Sequence, residues 1–425
     1  MKMQPENLKP ETLLLYAGYE PCKVTGSSSV PIYQTAAYNF RSSEHADNLF
    51  SLKESGNIYT RIMNPTNDVF EKRMAALEGG VSALAFASGH AAIIGAILNI
   101  ARTGDEIVSS KTLYGGTYNM FSYTLPNMGI KVNFAKDNQP ESYEELITPS
   151  TKAVFAETIG NPKIDVADIE ALADLSHKNG IPLIIDATFS PYINRSIDFG
   201  ADIVIHSATK YICGHGTTMG GVLIDAGKFD YSCGKFPLLS EPDPSYHGLA
   251  FVNLGAAAFI TRLRTQILRD MGACQSPFNS FLLLQGLETL HLRMERHSQN
   301  ALEVAKYLEA HEKVTWVSYP GLESHPDYAL AKKYLPNGAG GILTFGIKGG
   351  LDAGRKFIDS LLLISHLANV GDAKSCVIHP ASTTHSQLTP KQRTEAGSPD
   401  DLIRFSVGIE HVSDIINDLE QALFA

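Results

Sequence analysis

The sequence lacks three features: paired cysteines, a long hydrophobic run and an excess of positive charge. Its five cysteines are scattered without any C-x-x-C pair, which argues against a disulfide framework and for a reducing compartment. The longest apolar run, residues 91–101, is interrupted by glycine and asparagine and falls far short of a membrane span. The net charge of -10 disfavours a general nucleic-acid or anionic-membrane surface. We therefore expect a cytoplasmic protein with no nucleic-acid and no membrane partner.

With 425 residues, 44% of them hydrophobic, the chain can bury a large core and form more than one domain. Short apolar segments alternate with helical patterns, at 83–87, 106–109, 130–134, 153–157, 183–186, 203–205 and 222–225. This alternation predicts an α/β fold with a mostly parallel central sheet. We expect an irregular N-terminal arm over residues 1–60 that contacts a neighbouring subunit, a large domain over 61–262 and a smaller C-terminal α/β domain over 263–425. The polar, Pro-containing stretch 235–247 is predicted to be a surface insertion.

One short segment carries the strongest functional signal. A predicted buried strand, 203–205, is followed by Ser207, Thr209 and Lys210. A lysine at the carboxyl end of a parallel strand lies where open α/β sheets bind ligands, and a partly desolvated amine can form a Schiff base. The two hydroxyls suit phosphate oxygens. These residues together suggest a pyridoxal phosphate (PLP) site, the alternative being a solvated lysine after a strand.

Two further side chains fit the same site. Asp186 closes a second buried strand, where an acid is costly without a partner. It is either a helix cap or the partner of the protonated PLP ring nitrogen, an ion pair that keeps the ring an electron sink. Tyr114 follows a strand and precedes two glycines, so its ring could stack on a planar cofactor, the alternative being a core or surface tyrosine.

Three other places could bind anions. Ser88 and Gly89 form a turn between a predicted strand and helix, a geometry that directs free N–H groups at a phosphate. Tyr59 and Arg61 lie near a turn and would suit a phosphate, with the arginine as a bidentate donor. Arg404 interrupts an apolar strand and needs an anion if buried, either a substrate carboxylate or a structural salt bridge.

Cysteine and histidine occur once at C-x-x-H spacing. Cys376 and His379 have this spacing, and His385 follows. Because no second ligand pair accompanies them, we interpret them as packing residues and expect no metal site.

At this point the motifs resemble a known family, the PLP-dependent enzymes of Cys/Met metabolism. The similar segments cover nearly the whole chain: 202–216, 59–66, 88–89, 114–117, 157–162, 186–188 and 403–410. Within that family the chain most resembles the O-acetylhomoserine sulfhydrylase branch, on segments 366–375, 379–385, 214–218 and 242–248. Gly116 stands where the methionine γ-lyase branch usually has cysteine. His90 is a departure, since relatives more often carry Gln or Met there.

The resemblance implies the fold of PLP-dependent transferases of fold type I and a role for each candidate residue. Lys210 would hold the cofactor covalently, Asp186 would pair its ring nitrogen, and Tyr114 would stack on its ring; these three are the expected catalytic residues. The other residues expected to contact the cofactor are Ser88, Gly89, His90 through its backbone amide, Asn161, Thr188, Ser207 and Thr209, with Tyr59 and Arg61 of a neighbouring subunit. Those expected at the substrate are Arg404, Ser365 through its backbone, Asn161 and Tyr59.

The implied reaction is a γ-replacement on O-acetylhomoserine by sulfide or a thiol, giving homocysteine or methionine and acetate. The sulfur donor could be free or held on a carrier protein, and a homotetramer is the expected assembly. A cystathionine γ-synthase or a methionine or cystathionine γ-lyase would use the same site. From another class, a non-catalytic α/β binding protein stays an alternative.

Overall fold

Two β-sheets organise the chain, and each collects its own set of buried apolar side chains. The computed structural model describes residues 8–383, 391 and 397–425. The larger sheet has seven strands in the order β1-β7-β6-β5-β4-β2-β3, and the smaller has five in the order β10-β11-β12-β9-β8. The prediction of an α/β fold with a mostly parallel central sheet is confirmed.

The strands of the larger sheet are β1 (Ser82–Phe86), β2 (Glu106–Ser109), β3 (Lys131–Phe134), β4 (Thr151–Glu157), β5 (Leu183–Asp186), β6 (Ile203–His206) and β7 (Gly221–Asp225). Strands β2 to β6 run parallel, whereas β7 pairs antiparallel with both β6 and β1. The smaller sheet contains β8 (Val314–Ser318), β9 (Ile342–Ile347), β10 (Ser365–His366), β11 (Cys376–Ile378) and β12 (Leu402–Ser406). Because β4, β5 and β6 are parallel neighbours, their carboxyl ends meet at one edge.

The helices of the first half of the chain are α1 (Pro10–Tyr16), α2 (Ser43–Phe50), α3 (Pro65–Glu78), α4 (Gly89–Ile100), α5 (Gly115–Asn119), α6 (Leu125–Asn127), α7 (Pro140–Glu144) and α8 (Ile169–Lys178). Those that follow are α9 (Pro237–Ser240), α10 (Ala258–Arg262), α11 (Arg269–Met271), α12 (Pro277–Glu288), α13 (Leu290–Glu309), α14 (Tyr328–Tyr334), α15 (Gly350–Ser360) and α16 (Val412–Leu423). None of the helices in the described ranges is long and apolar enough to cross a membrane.

Helix α13 joins the two cores. Its first turns bury Leu290 and Met294 against the larger sheet's core, while Ala301 and Leu308 belong to the core of the smaller sheet. The buried side chains between 263 and 294 pack with the first core, as do those of Ala331, Tyr334 and Ile342 beyond α13, so the two cores meet along this helix.

Two local expectations from the sequence differ from the structure. The N-terminal segment, expected to be irregular, forms α1 and α2, and α1 buries Leu13 and Leu14 against its own chain. The stretch 235–247, expected at the surface, has Phe236 and Leu239 fully buried. Phe236 packs edge-on against Phe229 and Tyr231 in an aromatic cluster. Because its neighbours in the sequence are mostly polar, the sequence pattern did not indicate that Phe236 is buried.

Strand β7 approaches the turn before α4 very closely, which generates a stability prediction. A Cβ at Gly221 would lie 2.1 Å from the carbonyl oxygen of Ser88 and 2.7 Å from the backbone nitrogen of Gly89. Because backbone atoms cannot move away without distorting the chain, Gly221→Ala should lower the free energy of unfolding by about 1–3 kcal/mol. Urea denaturation measures this change. Gly115→Ala, with nothing within 4 Å, is the control and should stay within about 0.5 kcal/mol of wild type. Equal stability of both variants would contradict the packing argument.

Candidate active site

A cleft opens where β4, β5 and β6 end, and residues from the smaller sheet close its other side. Most of the residues selected from the sequence line it: Ser88, Gly89, His90, Tyr114, Asn161, Asp186, Thr188, Ser207, Thr209, Lys210 and Arg404. The cleft is the crevice at the carboxyl ends of the strands that open α/β sheets use for ligands.

Lys210 extends into this cleft from the turn after β6. Its Nζ donates a hydrogen bond to Oδ1 of Asn369 at 2.8 Å. Burial lowers the pKa of the Lys210 ammonium, and the nearby positive charge of Arg404 lowers it further. A larger share of the amine is therefore unprotonated and able to attack a carbonyl carbon than for a lysine in water.

Asp186 is the last residue of β5, beside β6. One carboxylate oxygen accepts a hydrogen bond from the backbone N–H of Thr188 at 2.9 Å. Burial raises the pKa of Asp186 even though hydrogen bonds from Thr188 favour the charged form. A buried carboxylate of this kind gains most from a cationic partner, and a protonated ring nitrogen would supply one.

The phosphate-binding expectation rests on the start of α4. Ser88 is the N-cap of this twelve-residue helix, and its hydroxyl accepts from the N–H of Ala91 at 3.2 Å. Ser207 and Thr209 line the same end of the cleft, and the N–H of Ser207 is held by the Thr188 hydroxyl at 2.7 Å. A helix N-terminus with hydroxyls beside it is a ready anion site.

Tyr114 and His90 form a stacked pair over the cleft. Their ring centroids are 5.6 Å apart and their planes differ by 29°. Burial lowers the pKa of the His90 imidazole, although the charge of Asp186 opposes the shift. A Cβ at Gly116 would lie 2.5 Å from Cε1 of His90 and 2.7 Å from Cε1 of Tyr114. Any larger residue at 116 would therefore displace both rings.

Arg404 occupies the middle of β12. Its Nη1 donates to Oδ1 of Asn161 at 3.4 Å, and no carboxylate of the described residues forms a salt bridge with it. Burial lowers the pKa of Arg404, which is the signature of a desolvated cation that lacks an anion. A ligand carboxylate in the cleft would fill this need.

Three of the expected residues do not line the cleft. Arg61 stacks its guanidinium on the Tyr59 ring at 5.5 Å and donates to the carbonyl of Arg269 at 3.0 Å. Ser365 lies on β10, two strands away from Arg404, and its N–H donates to Ser375. In its place, Ala368, Asn369 and Val370 line the cleft.

Asn369 and Glu157 are among the lining residues that the sequence argument did not select. Glu157 ends β4 as Asp186 ends β5, so the same signal, an acid closing a buried strand, could have identified it. Its Oε1 accepts from the N–H of Tyr114 at 2.7 Å. Asn369 lies in an irregular segment, and no pattern in the sequence indicated its contact with Lys210.

The C-x-x-H residues contact protein groups. The Cys376 thiol donates to the carbonyl of Asn369 at 3.3 Å, and the His379 ring bonds the Ser382 hydroxyl and the Asp400 carbonyl. His385 lies outside the described residues. Within 8–383, 391 and 397–425 no cluster of three metal-ligating side chains occurs.

The donor set of the cleft fits PLP. The lysine amine, whose pKa is lowered, suits the aldehyde of that cofactor, and the buried acid without a cationic partner suits its ring nitrogen. The helix N-terminus flanked by hydroxyls suits the phosphate, and the exposed tyrosine face suits the ring. Fold and cleft thus define a PLP-dependent α/β enzyme. The chain belongs to the family of Cys/Met metabolism PLP-dependent enzymes, whose model matches residues 11–424.

Individual relatives show which members of this family the chain resembles. The chain is 53% identical to the O-acetyl-L-homoserine sulfhydrylase of Leptospira meyeri, over 99% of this chain and 97% of the relative. It is 56% identical to the homocysteine synthase of Schizosaccharomyces pombe, over 97% of each chain. A crystal structure from Campylobacter jejuni, described as an O-acetylhomoserine (thiol)-lyase, superposes with a TM-score of 0.95 at 42% identity, over 98% of this chain and 100% of that one. It carries N'-pyridoxyl-lysine-5'-monophosphate.

The geometry of Lys210 generates a direct test. Lys210→Ala should reduce turnover by at least about 1,000-fold, because no other lysine of the described part of the chain lines the cleft to hold the cofactor or move a proton. Steady-state rates at saturating PLP measure this. Lys374→Ala, an exposed lysine outside the cleft, is the control and should keep the wild-type rate. A Lys210→Ala enzyme with unchanged turnover would show that the site is elsewhere.

Proposed function

We propose that the protein catalyses a γ-replacement on O-acetylhomoserine, in which sulfide displaces acetate and homocysteine is formed. The observation that carries the proposal is the placement of Lys210, Asp186 and Arg404 in one cleft, one group each for the aldehyde of the cofactor, its ring nitrogen and the carboxylate of an amino acid. The relatives named as sulfhydrylases, identical at half of their positions, support the same reaction.

PLP, once bound, supplies an electron sink that makes the Cα and Cβ protons of the amino acid removable. Every other part of the reaction is assigned to this chain. Arg404 binds the α-carboxylate as a bidentate donor, and its bond to Asn161 fixes the direction of the guanidinium. Asp186 holds the ring nitrogen.

Lys210 is the proton carrier. Once the substrate amine has displaced it, the free amine would take the proton from Cα, release that proton to the cofactor carbon from which it was displaced, and then be able to act as the base at Cβ. Loss of the Cβ proton lets the Cγ–O bond break, and acetate leaves with the bonding electron pair. Sulfide then forms a bond to Cγ, and protons return to Cβ and Cα. Asn369, 2.8 Å from Nζ in the present arrangement, lies beside this path.

Gly116 favours replacement over γ-elimination within the family. The space that a side chain at 116 would fill is taken by the stacked rings of His90 and Tyr114. The surroundings of the reacting Cγ therefore differ from those in the γ-lyase branch, where the resemblance places a cysteine.

The working unit is proposed to be an oligomer, a homotetramer built from dimers. Tyr59 and Arg61 lie outside their own chain's cleft, and the N-terminal segment exposes Val24, Phe40 and Phe50. Exposed apolar side chains grouped on one segment mark a surface that another chain covers. Tyr59 and Arg61 of the partner chain would then reach the cofactor phosphate.

A cytoplasmic location is also proposed, because the cysteines of the described chain are free.

Product analysis tests the reaction. Incubation with O-acetylhomoserine and sulfide should give homocysteine and acetate in equal amounts, measured by mass spectrometry, and methanethiol in place of sulfide would give methionine. Cysteine as donor should give at least about tenfold less product. Formation of cystathionine as the main product, or of 2-oxobutyrate and ammonia without a sulfur donor, would establish the synthase or the lyase instead. A thiocarboxylated carrier protein tested beside sulfide decides the sulfur source.

Arg404 provides the second test. Arg404→Ala should raise KM for the amino acid by about 100-fold, since removing one partner of a desolvated charge pair costs several kcal/mol. The PLP dissociation constant should change less than about threefold. Arg404→Lys keeps the charge without the planar fork and should fall between the two. Equal losses in PLP and substrate affinity would mean that Arg404 supports the fold of the cleft and does not bind substrate.

A further inference from the structure

Glu157 is a second buried acid at the floor of the cleft, with no part in the chemistry described above. It ends β4, and its Cα pairs directly with that of Asp186 on β5. Both side chains are buried and line the cleft. The parallel register thus sets two carboxyl groups side by side in a place with little water, where two negative charges are costly.

Glu157 contacts the loop that carries Tyr114. Its Oε1 accepts from the N–H of Tyr114 at 2.7 Å. The side chain therefore joins the end of β4 to the segment after β2, and it helps to place the ring expected over the cofactor.

The acidic neighbours of Glu157 decide its charge. Burial raises the pKa of Glu157 well above its usual value, and Asp186 and Asp165 raise it further, whereas the backbone N–H of Tyr114 opposes the shift only in part. The cations of the cleft bond elsewhere, Lys210 to Asn369 and Arg404 to Asn161. His90 stacks on Tyr114. No cation of the described chain forms a salt bridge with Glu157.

We propose that Glu157 is a positioning residue that acts in its un-ionised form: its carbonyl oxygen holds the Tyr114 segment, and its proton leaves Asp186 as the single negative charge beneath the cofactor ring. The carboxyl pair then binds one proton in the resting enzyme, held on Glu157. The positive charge of a protonated ring nitrogen is then balanced by one carboxylate and not by two, and the ring remains an electron sink. The inference rests on the proposed roles of Asp186 and Tyr114.

Two variants separate the holding role from the charge. Glu157→Gln retains the carbonyl oxygen and removes the titrating proton, so PLP affinity should stay within about threefold of wild type and the absorbance maximum of the bound cofactor should not move. Glu157→Ala leaves the N–H of Tyr114 without its acceptor, which weakens PLP binding by at least about tenfold. Asp225→Asn is the matched control, because Asp225 is a buried acid outside the cleft whose pKa is also raised by burial. It should leave the absorbance maximum unchanged.

A measurement without the cofactor tests the charge on Glu157 alone. A folded-state pKa that is raised stabilises the fold below the unfolded value, near pH 4.3 for glutamate, and this stability is lost as pH rises toward the folded value. The unfolding constant of the wild-type apoprotein should therefore rise relative to that of Glu157→Gln, by up to tenfold per pH unit, as pH rises above about 5. A flat ratio, or a shifted absorbance maximum in Glu157→Gln, would show that Glu157 is an anion and overturn the proposal. Because this readout needs no PLP, a failed γ-replacement assay would leave it standing.

Discussion

Burial of charged side chains at the ends of β4, β5 and β6 is the constraint on which the rest of the structure depends. Parallel register brings Glu157, Asp186 and the segment with Lys210 to one sheet edge. None of these groups is stable there without partners. The fold supplies some of these partners: the backbone N–H groups of Thr188 and Tyr114 donate to the two acids, and Asn369 accepts a hydrogen bond from Lys210. A ligand would have to supply the rest. The same desolvation that makes the groups costly also makes them reactive.

The smaller sheet completes the site by adding a cation and an amide. Arg404 is half-buried in the middle of β12, and the segment 368–370 closes the cleft over Lys210. Helix α13 contributes to both cores, so the position of Arg404 relative to the larger sheet is set by continuous packing. On the proposed roles, one sheet would bind the substrate carboxylate and the other the cofactor.

Much of this arrangement could be predicted from the sequence, because strand ends leave a local signal. An apolar run closed by Asp186, or by the hydroxyls before Lys210, identifies both a buried strand and a site residue, and parallel topology then predicts that they meet. Asn369 left no signal, since its contact with Lys210 depends on how an irregular segment folds back over the larger sheet. The contribution of α13 to both cores was equally hidden, because one continuous helical pattern serves two cores.

The central claim is that Lys210 holds PLP above Asp186. Reduction of the purified holoenzyme with borohydride, followed by proteolysis and mass spectrometry, tests it most directly. The account predicts a phosphopyridoxyl adduct on the peptide that contains Lys210, at close to one per chain, and the loss of visible absorbance on reduction. An adduct on another lysine, or protein that binds no PLP while correctly folded, would contradict it.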